Sequence, residues 1–251
     1  MNAPEASVLK RIARVVARDG PGGLVALLKK NIVYHYRLWL DRRFDRRFGT
    51  DTSGRIELDH LSVVGGNREH GVYYESTPTA LFKFFLSNTK LEFERYTFID
   101  LGSGKGRTLM LASDYPFGRI VGVEFSPELH EVAVRNVSIY TSPAQRCRRL
   151  ESVNADATTY ESPRTPLFLY AYNPFDDTVM TAVLDNLMRS LQAAPRDVVL
   201  VYYNPRWWVL EKFPALPLRA RLNVPHDPTR DVQRRAAIFA NIELPRGNGW
   251  L

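Results

Sequence analysis

The stretch Thr97–Leu111, TFIDLGSGKGRTLML, constrains this chain more than any other. Phe98, Ile99 and Leu101 flank an acid, Asp100; glycines then stand at 102, 104 and 106, and apolar residues resume at Leu109, Met110 and Leu111. The pattern predicts a buried strand, a turn that needs glycine's freedom, and the start of a helix. A helix that opens on such a turn has N–H groups without intrahelical partners and a partial positive charge, so it suits a carboxylate or a phosphate. A tight turn with no ligand is the alternative, because glycine is the default residue of strained turns.

Spacing narrows the ligand. A P-loop needs Lys followed by Ser or Thr, whereas Gly106 follows Lys105, which argues against a nucleoside triphosphate. The dinucleotide fingerprint G-x-G-x-x-G places its third glycine one residue later than here, and an acid two residues before the first glycine is foreign to it. The string DLGSGKGR, Asp100–Arg107, resembles the first motif of the class I S-adenosylmethionine-dependent methyltransferases. The resemblance implies that Gly102, Ser103, Gly104 and Gly106 pass under the methionine half of S-adenosyl-L-methionine, and that Asp100 helps to bind its amino group.

The chain's 251 residues, 45% apolar and 24% charged, suffice for one α/β domain with an extension. Residues 1–50 carry 11 Lys or Arg and 4 acids, which accounts for the whole formal charge of +7 and leaves 23 of each sign in the remainder. The charge therefore belongs to the extension. A single cysteine, Cys147, rules out an internal disulfide and a cysteine-based zinc site, and it reads as a small strand residue in a reducing compartment. No His or Cys cluster offers a metal site. No run reaches the roughly 20 apolar residues that span a bilayer, and the expectation is a cytoplasmic protein.

The expected domains are a basic helical extension, residues 1–50, and a catalytic domain, residues 51–251. Helical periodicity over Val8–Arg18 is broken at Asp19–Gly23 and resumes from Leu24 to about Phe48, ending in the near-repeat DRRF-DRRF. Asp41 and Asp45 share one face, as do Phe44 and Phe48. Two readings stay open: an arm that touches acidic lipid, RNA or an acidic protein, or a helix pair packed on the domain with a solvated charged face.

Ahead of the glycine strand, Val72–Pro78 is an aromatic and polar segment placed to close over a ligand. It resembles the segment that precedes the first motif in the non-SET lysine methyltransferases and their bacterial relatives. That resemblance assigns Tyr73, Thr77 or both to the methionine carboxylate; a plain helix cap is the alternative. Beyond the turn, Arg119–Phe125 predicts a buried strand whose acid, Glu124, lies 20 residues past Gly104. In doubly wound folds an acid there holds two ribose hydroxyls. The turn Asn154–Thr158 follows, and the resemblance places the adenine beside Asp156 and Ala157; a surface-turn aspartate is the alternative.

A further buried run, Pro166–Tyr172, leads into Asn173-Pro174-Phe175. Tyr172–Phe175 resembles the N-P-P-[FYW] motif of amino-directed methyltransferases, with Phe175 at the second proline. There the Asn oxygen and a main-chain carbonyl accept protons of the target nitrogen while an aromatic ring packs on a planar acceptor. A strand-to-loop turn is the alternative. Asp197–Tyr203 predicts a fifth strand, and Leu216–Val224 with Arg235–Glu243 a terminal hairpin around a polar loop at 225–234.

The expected fold is α/β: a doubly wound, mostly parallel seven-stranded sheet with a terminal antiparallel hairpin, plus the N-terminal helical extension. The expected function is methyl transfer from S-adenosylmethionine to an amino nitrogen of a protein or nucleobase. The rivals are an NAD-dependent oxidoreductase and a noncatalytic binding module that acts through the basic arm.

Overall fold

The computed structural model describes residues 3–224 and 235–250. The described residues up to Leu40 form one compact unit, and those from Asp41 onward another. The first is the greater part of helix α1 (Ala3–Phe48). The break expected across Asp19–Gly23 narrows to Gly20, whose φ of 65° and ψ of −166° kink the helix. Pro21 follows at once, at the first position of a new helical segment, where its missing N–H loses no bond. No described side chain from Arg14 to Leu40 is buried. Among the described residues no helix is long and apolar enough to cross a membrane.

The second unit is an α/β sandwich, as its alternating apolar runs and helical periods predict. Its elements are β1 (Arg55–Ile56), β2 (Tyr74–Glu75), α2 (Thr79–Ser87), β3 (Thr97–Leu101), α3 (Arg107–Ala112), β4 (Arg119–Glu124), α4 (Pro127–Ile139), β5 (Leu150–Asn154) and β6 (Leu167–Tyr172). There follow α5 (Asp177–Ala193), β7 (Val198–Tyr203), α6 (Trp207–Leu210), β8 (Leu218–Leu222) and β9 (Ala236–Ala240). The seven-stranded sheet runs β5-β4-β3-β6-β7-β9-β8. Its first five strands are parallel, and β9 is antiparallel to both β7 and β8. The loop expected at 225–234 lies outside the described residues.

Every residue of β3 and β7 is buried, which is why both read as unbroken apolar runs: each face of a parallel sheet is covered by helices. Alternation sorts the side chains into two cores. Phe98, Phe168, Tyr170, Val199 and Val201 pack with Phe82 and Phe85 of α2, while Ile99, Leu169, Leu200 and Tyr202 pack with Val179, Met180 and Leu184 of α5. Cys147 is buried in the first core on the loop before β5, not on a strand.

Two caps aim the helices. Ser126 Oγ accepts the Leu129 N–H at 3.3 Å to start α4, and Asp176 accepts the N–H groups of Thr178 and Val179 at 3.0 and 3.2 Å to start α5. The chain leaves β3 toward β4 on one side, whereas β6 lies on the other side of β3 and leads toward β7. The carboxyl ends of β3 and β6 thus diverge above a crevice, the usual ligand site of an open parallel sheet.

Candidate active site

A cavity of about 80 Å³ occupies that crevice. Its floor is the glycine turn. Gly102, Gly104 and Gly106 all have positive φ, 79°, 54° and 79°, which confines these positions to glycine in practice. Close approach adds a second reason: a Cβ on Gly104 would lie 2.3 Å from the Tyr74 ring, and one on Gly102 would lie 2.8 Å from Pro174 Cβ.

Four of the turn's amides have acceptors inside the protein. Gly102 and Ser103 donate to Val123 O at 2.9 and 3.1 Å, and Gly106 donates to Ser103 O at 2.9 Å. Gly104 donates to Glu124 Oε2 at 2.7 Å, and Ser126 N–H binds the other oxygen at 2.9 Å. Instead of a row of donors for an anion, the cavity presents acceptors. Asp100, Glu124 and Asp156 all line it.

Asp100 and Glu124 are each 3% exposed. Burial pushes Asp100 up to about 7, against the Thr108 hydroxyl that donates to it and with help from the nearby Glu124 charge. Burial likewise pushes Glu124 up to about 7, against the N–H groups of Ser126, Gly104 and Phe125. A carboxyl with a raised folded-state pKa holds its proton in the folded protein while the unfolded chain has lost it. These two groups therefore make the unliganded protein less stable as pH rises from the ordinary carboxylate range to about 7, with little further change above. Asp100→Asn removes its share of that slope; thermal melts from pH 5 to 8 should show a flatter profile than the parent's.

Residues 61–77 lie across the strand tips as a strap. Ser62 N–H binds Glu128 at 2.9 Å, Val64 N–H binds Phe125 O at 2.9 Å, and Asn67 Nδ2 reaches Asp156 Oδ2 at 2.6 Å. Gly71 bridges to Phe175, and His70 Nδ1 lies 2.6 Å from Asp176 Oδ2.

Of the residues expected at the site, Tyr73, Thr77, Asp100, Gly102, Ser103, Gly104, Glu124, Asp156, Ala157, Pro174 and Phe175 share this cavity wall, whereas Gly106 and Asn173 do not. Gly106 packs instead toward Ala133, 3.1 Å from a would-be Cβ. Asn173 turns at φ 46°, and its Oδ1 is buried with no hydrogen-bond partner. Tyr73 stacks under the Arg55 guanidinium at 3.5 Å, and Thr77 Oγ1 lies 3.3 Å from the Tyr170 hydroxyl. No side-chain cap starts α2, so neither Thr77 nor Thr79 serves the plain capping role. Asp156 also accepts from the Thr158 N–H and hydroxyl at 2.9 and 2.8 Å.

Sequence reasoning missed Ser76, Tyr74 and Arg107, which also line the cavity. The hydroxyls of Ser76 and Ser103 are buried without a partner, the kind of deficit that a polar ligand removes. Tyr74 donates its hydroxyl to Thr52 O at 2.6 Å. Arg107, 2% exposed, is held from the other side. It binds the Asp41 carboxylate and main-chain oxygen, the latter at 3.1 Å, and donates from Nε to Thr52 Oγ1 at 2.7 Å. Asp45 stands 3.9 Å from it and gathers Thr50, Thr52 and Ser53. The face shared by Asp41 and Asp45 was the available signal for this network; nothing near Arg107 pointed to it.

No family model matches the chain, and no curated protein does. Solved structures do. An uncharacterized protein from Listeria monocytogenes serotype 4b is 12% identical over 68% of this chain and 70% of its own, with a TM-score of 0.50. An RNA methyltransferase from Salinibacter ruber, solved with S-adenosyl-L-homocysteine, is 17% identical over 66% of this chain and 93% of its own, with a TM-score of 0.42. The N-methyltransferase NodS from Bradyrhizobium japonicum is 14% identical over 66% and 94%, with a TM-score of 0.46. The likeness is one of fold; what the chain does must come from the site.

Proposed function

We propose that this chain is an S-adenosylmethionine-dependent methyltransferase of class I, acting on an amino nitrogen of a protein or nucleobase. One observation carries the reading: the cavity lining is rich in carboxylates while the amides of Gly102, Ser103, Gly104 and Gly106 already have protein acceptors. A pyrophosphate would meet Asp100 and Glu124, and the amides of Gly102, Ser103 and Gly104 are already engaged. Its charge would be repelled. A ligand with an ammonium group and two ribose hydroxyls fits those acceptors, and the unpartnered Ser76 and Ser103 hydroxyls add polar capacity.

In this assignment Asp100 takes the ammonium group, Glu124 the ribose hydroxyls, and Asp156 with Ala157 the adenine. Tyr73 and Thr77 face the carboxylate. When bound, S-adenosylmethionine supplies an electrophilic methyl group on a sulfonium. The chain's part is to orient the acceptor's lone pair. We assign that role to the Asn173 amide oxygen, which lies outside the present cavity wall, buried and without a partner, next to Pro174 seated on Gly102 and the Phe175 ring in the wall; positioning of this kind can supply much of the rate.

Two tests follow. Placing a cation beside Asp100 and Glu124 lowers their pKa values, so binding at pH 6 is expected to release protons, read as a heat of binding that changes with the buffer's ionisation enthalpy. Labelled cofactor incubated with protein and RNA extracts is expected to mark one acceptor class. Asn173→Ala should cut that transfer at least ~100-fold with little change in cofactor affinity. Full transfer by Asn173→Ala would remove the amino-directed assignment.

A further inference from the structure

The 21–40 segment of α1 has a feature that methyl transfer does not use. Val25, Leu28, Ile32, Tyr36 and Trp39 recur at intervals of three and four residues, so they form a single stripe along the helix. All five are exposed, Ile32 by 68% and Tyr36 by 57%. The Tyr36 and Trp39 rings stack at 5.8 Å with 19° between their planes, which joins an amphipathic aromatic pair to the apolar stripe. Residues 21–40 contain three Lys or Arg and no acid, and Lys29 is exposed beside the stripe.

We propose that this segment binds the surface of an anionic bilayer, lying in the interface with the stripe toward the acyl chains. Charge sets the choice of occupant, since three cations without one acid attract headgroup phosphates. Polarity keeps the helix in the interface: it is not apolar enough to span the bilayer. Tyr36 and Trp39 suit the headgroup level, where an apolar ring and a polar edge are both accommodated. Two other occupants fit less well. A paired coiled coil needs the pattern sustained for three or four heptads, and this stripe lasts about two. RNA would engage the cations but leave Val25, Leu28 and Ile32 in water.

The test is vesicle flotation with the full-length protein. With phosphatidylcholine vesicles containing phosphatidylglycerol the protein should float; with phosphatidylcholine alone binding should fall about ten-fold or more. Ile32→Glu should abolish flotation, and Val134→Glu, an exposed apolar position on α4, should leave it unchanged; circular dichroism melts confirm that both variants fold. No flotation, or equal binding to both vesicles, overturns the proposal. So does a dimer, or RNA binding, that Ile32→Glu removes in the absence of vesicle binding. Neither outcome bears on cofactor binding, which is measured separately.

Discussion

Arg107→Met is expected to lower the unfolding free energy by about 3–5 kcal/mol, because it leaves Asp41 buried without its cation. For a chain of this size that corresponds to a melting temperature lower by roughly 10 °C. The guanidinium joins three things: the last turns of α1 through Asp41, the loop after it through Thr52, and the first residue of the helix that follows the glycine turn. It also lies over the Phe44 ring at 4.9 Å, and Met retains part of that packing. The partner variant separates charge from volume. Asp41→Leu with Arg107→Met removes the ion pair as a whole, and such replacements are often neutral, so it should recover most of the loss. A single Arg107→Met variant as stable as the parent would show that the network contributes little.

The second large effect concerns Glu124. Its carboxylate holds the Gly104 and Ser126 N–H groups at 2.7 and 2.9 Å, so Glu124→Ala removes two charge-assisted bonds as well as the proposed ribose contact. Hydrogen bonds to charged groups are worth about 1.5–3 kcal/mol each. S-adenosylhomocysteine binding is therefore expected to weaken by more than about 100-fold. Glu124→Gln, which keeps one acceptor and presents an NH₂ where the other N–H points, should fall between. Stability should change less, since removing a buried acid relieves its desolvation. Unaltered affinity in Glu124→Ala would exclude this carboxylate from the binding site.

Much of this fold is legible in the sequence for a simple reason. Parallel strands covered on both faces appear as short unbroken apolar runs, and β3, β4, β6 and β7 fall within one or two residues of their expected limits. The acids at the strand tips stand out against those runs, so Asp100 and Glu124 were visible. The two-residue pairing of Arg55–Ile56 with Tyr74–Glu75 has no periodicity to detect. Contacts across long separations are equally silent: Arg107 meets Asp41 at a distance of 66 residues, and Asn67 meets Asp156 at 89. The glycine spacing predicted a turn that needs glycine, but it did not show where the turn's own amides go: those of Gly102, Ser103, Gly104 and Gly106 bind Val123, Ser103 and Glu124. Which acceptor an amide finds depends on the neighbouring strand's register, and local sequence does not reveal that.

Titration calorimetry with S-adenosylhomocysteine and, separately, NAD separates the two cofactor classes, because the ligands share adenosine and differ in the charge brought to Asp100 and Glu124. Saturable binding of S-adenosylhomocysteine that Glu124→Ala weakens by more than about 100-fold is expected, and no heat with NAD. Saturable binding of NAD with none of S-adenosylhomocysteine would contradict the proposed assignment.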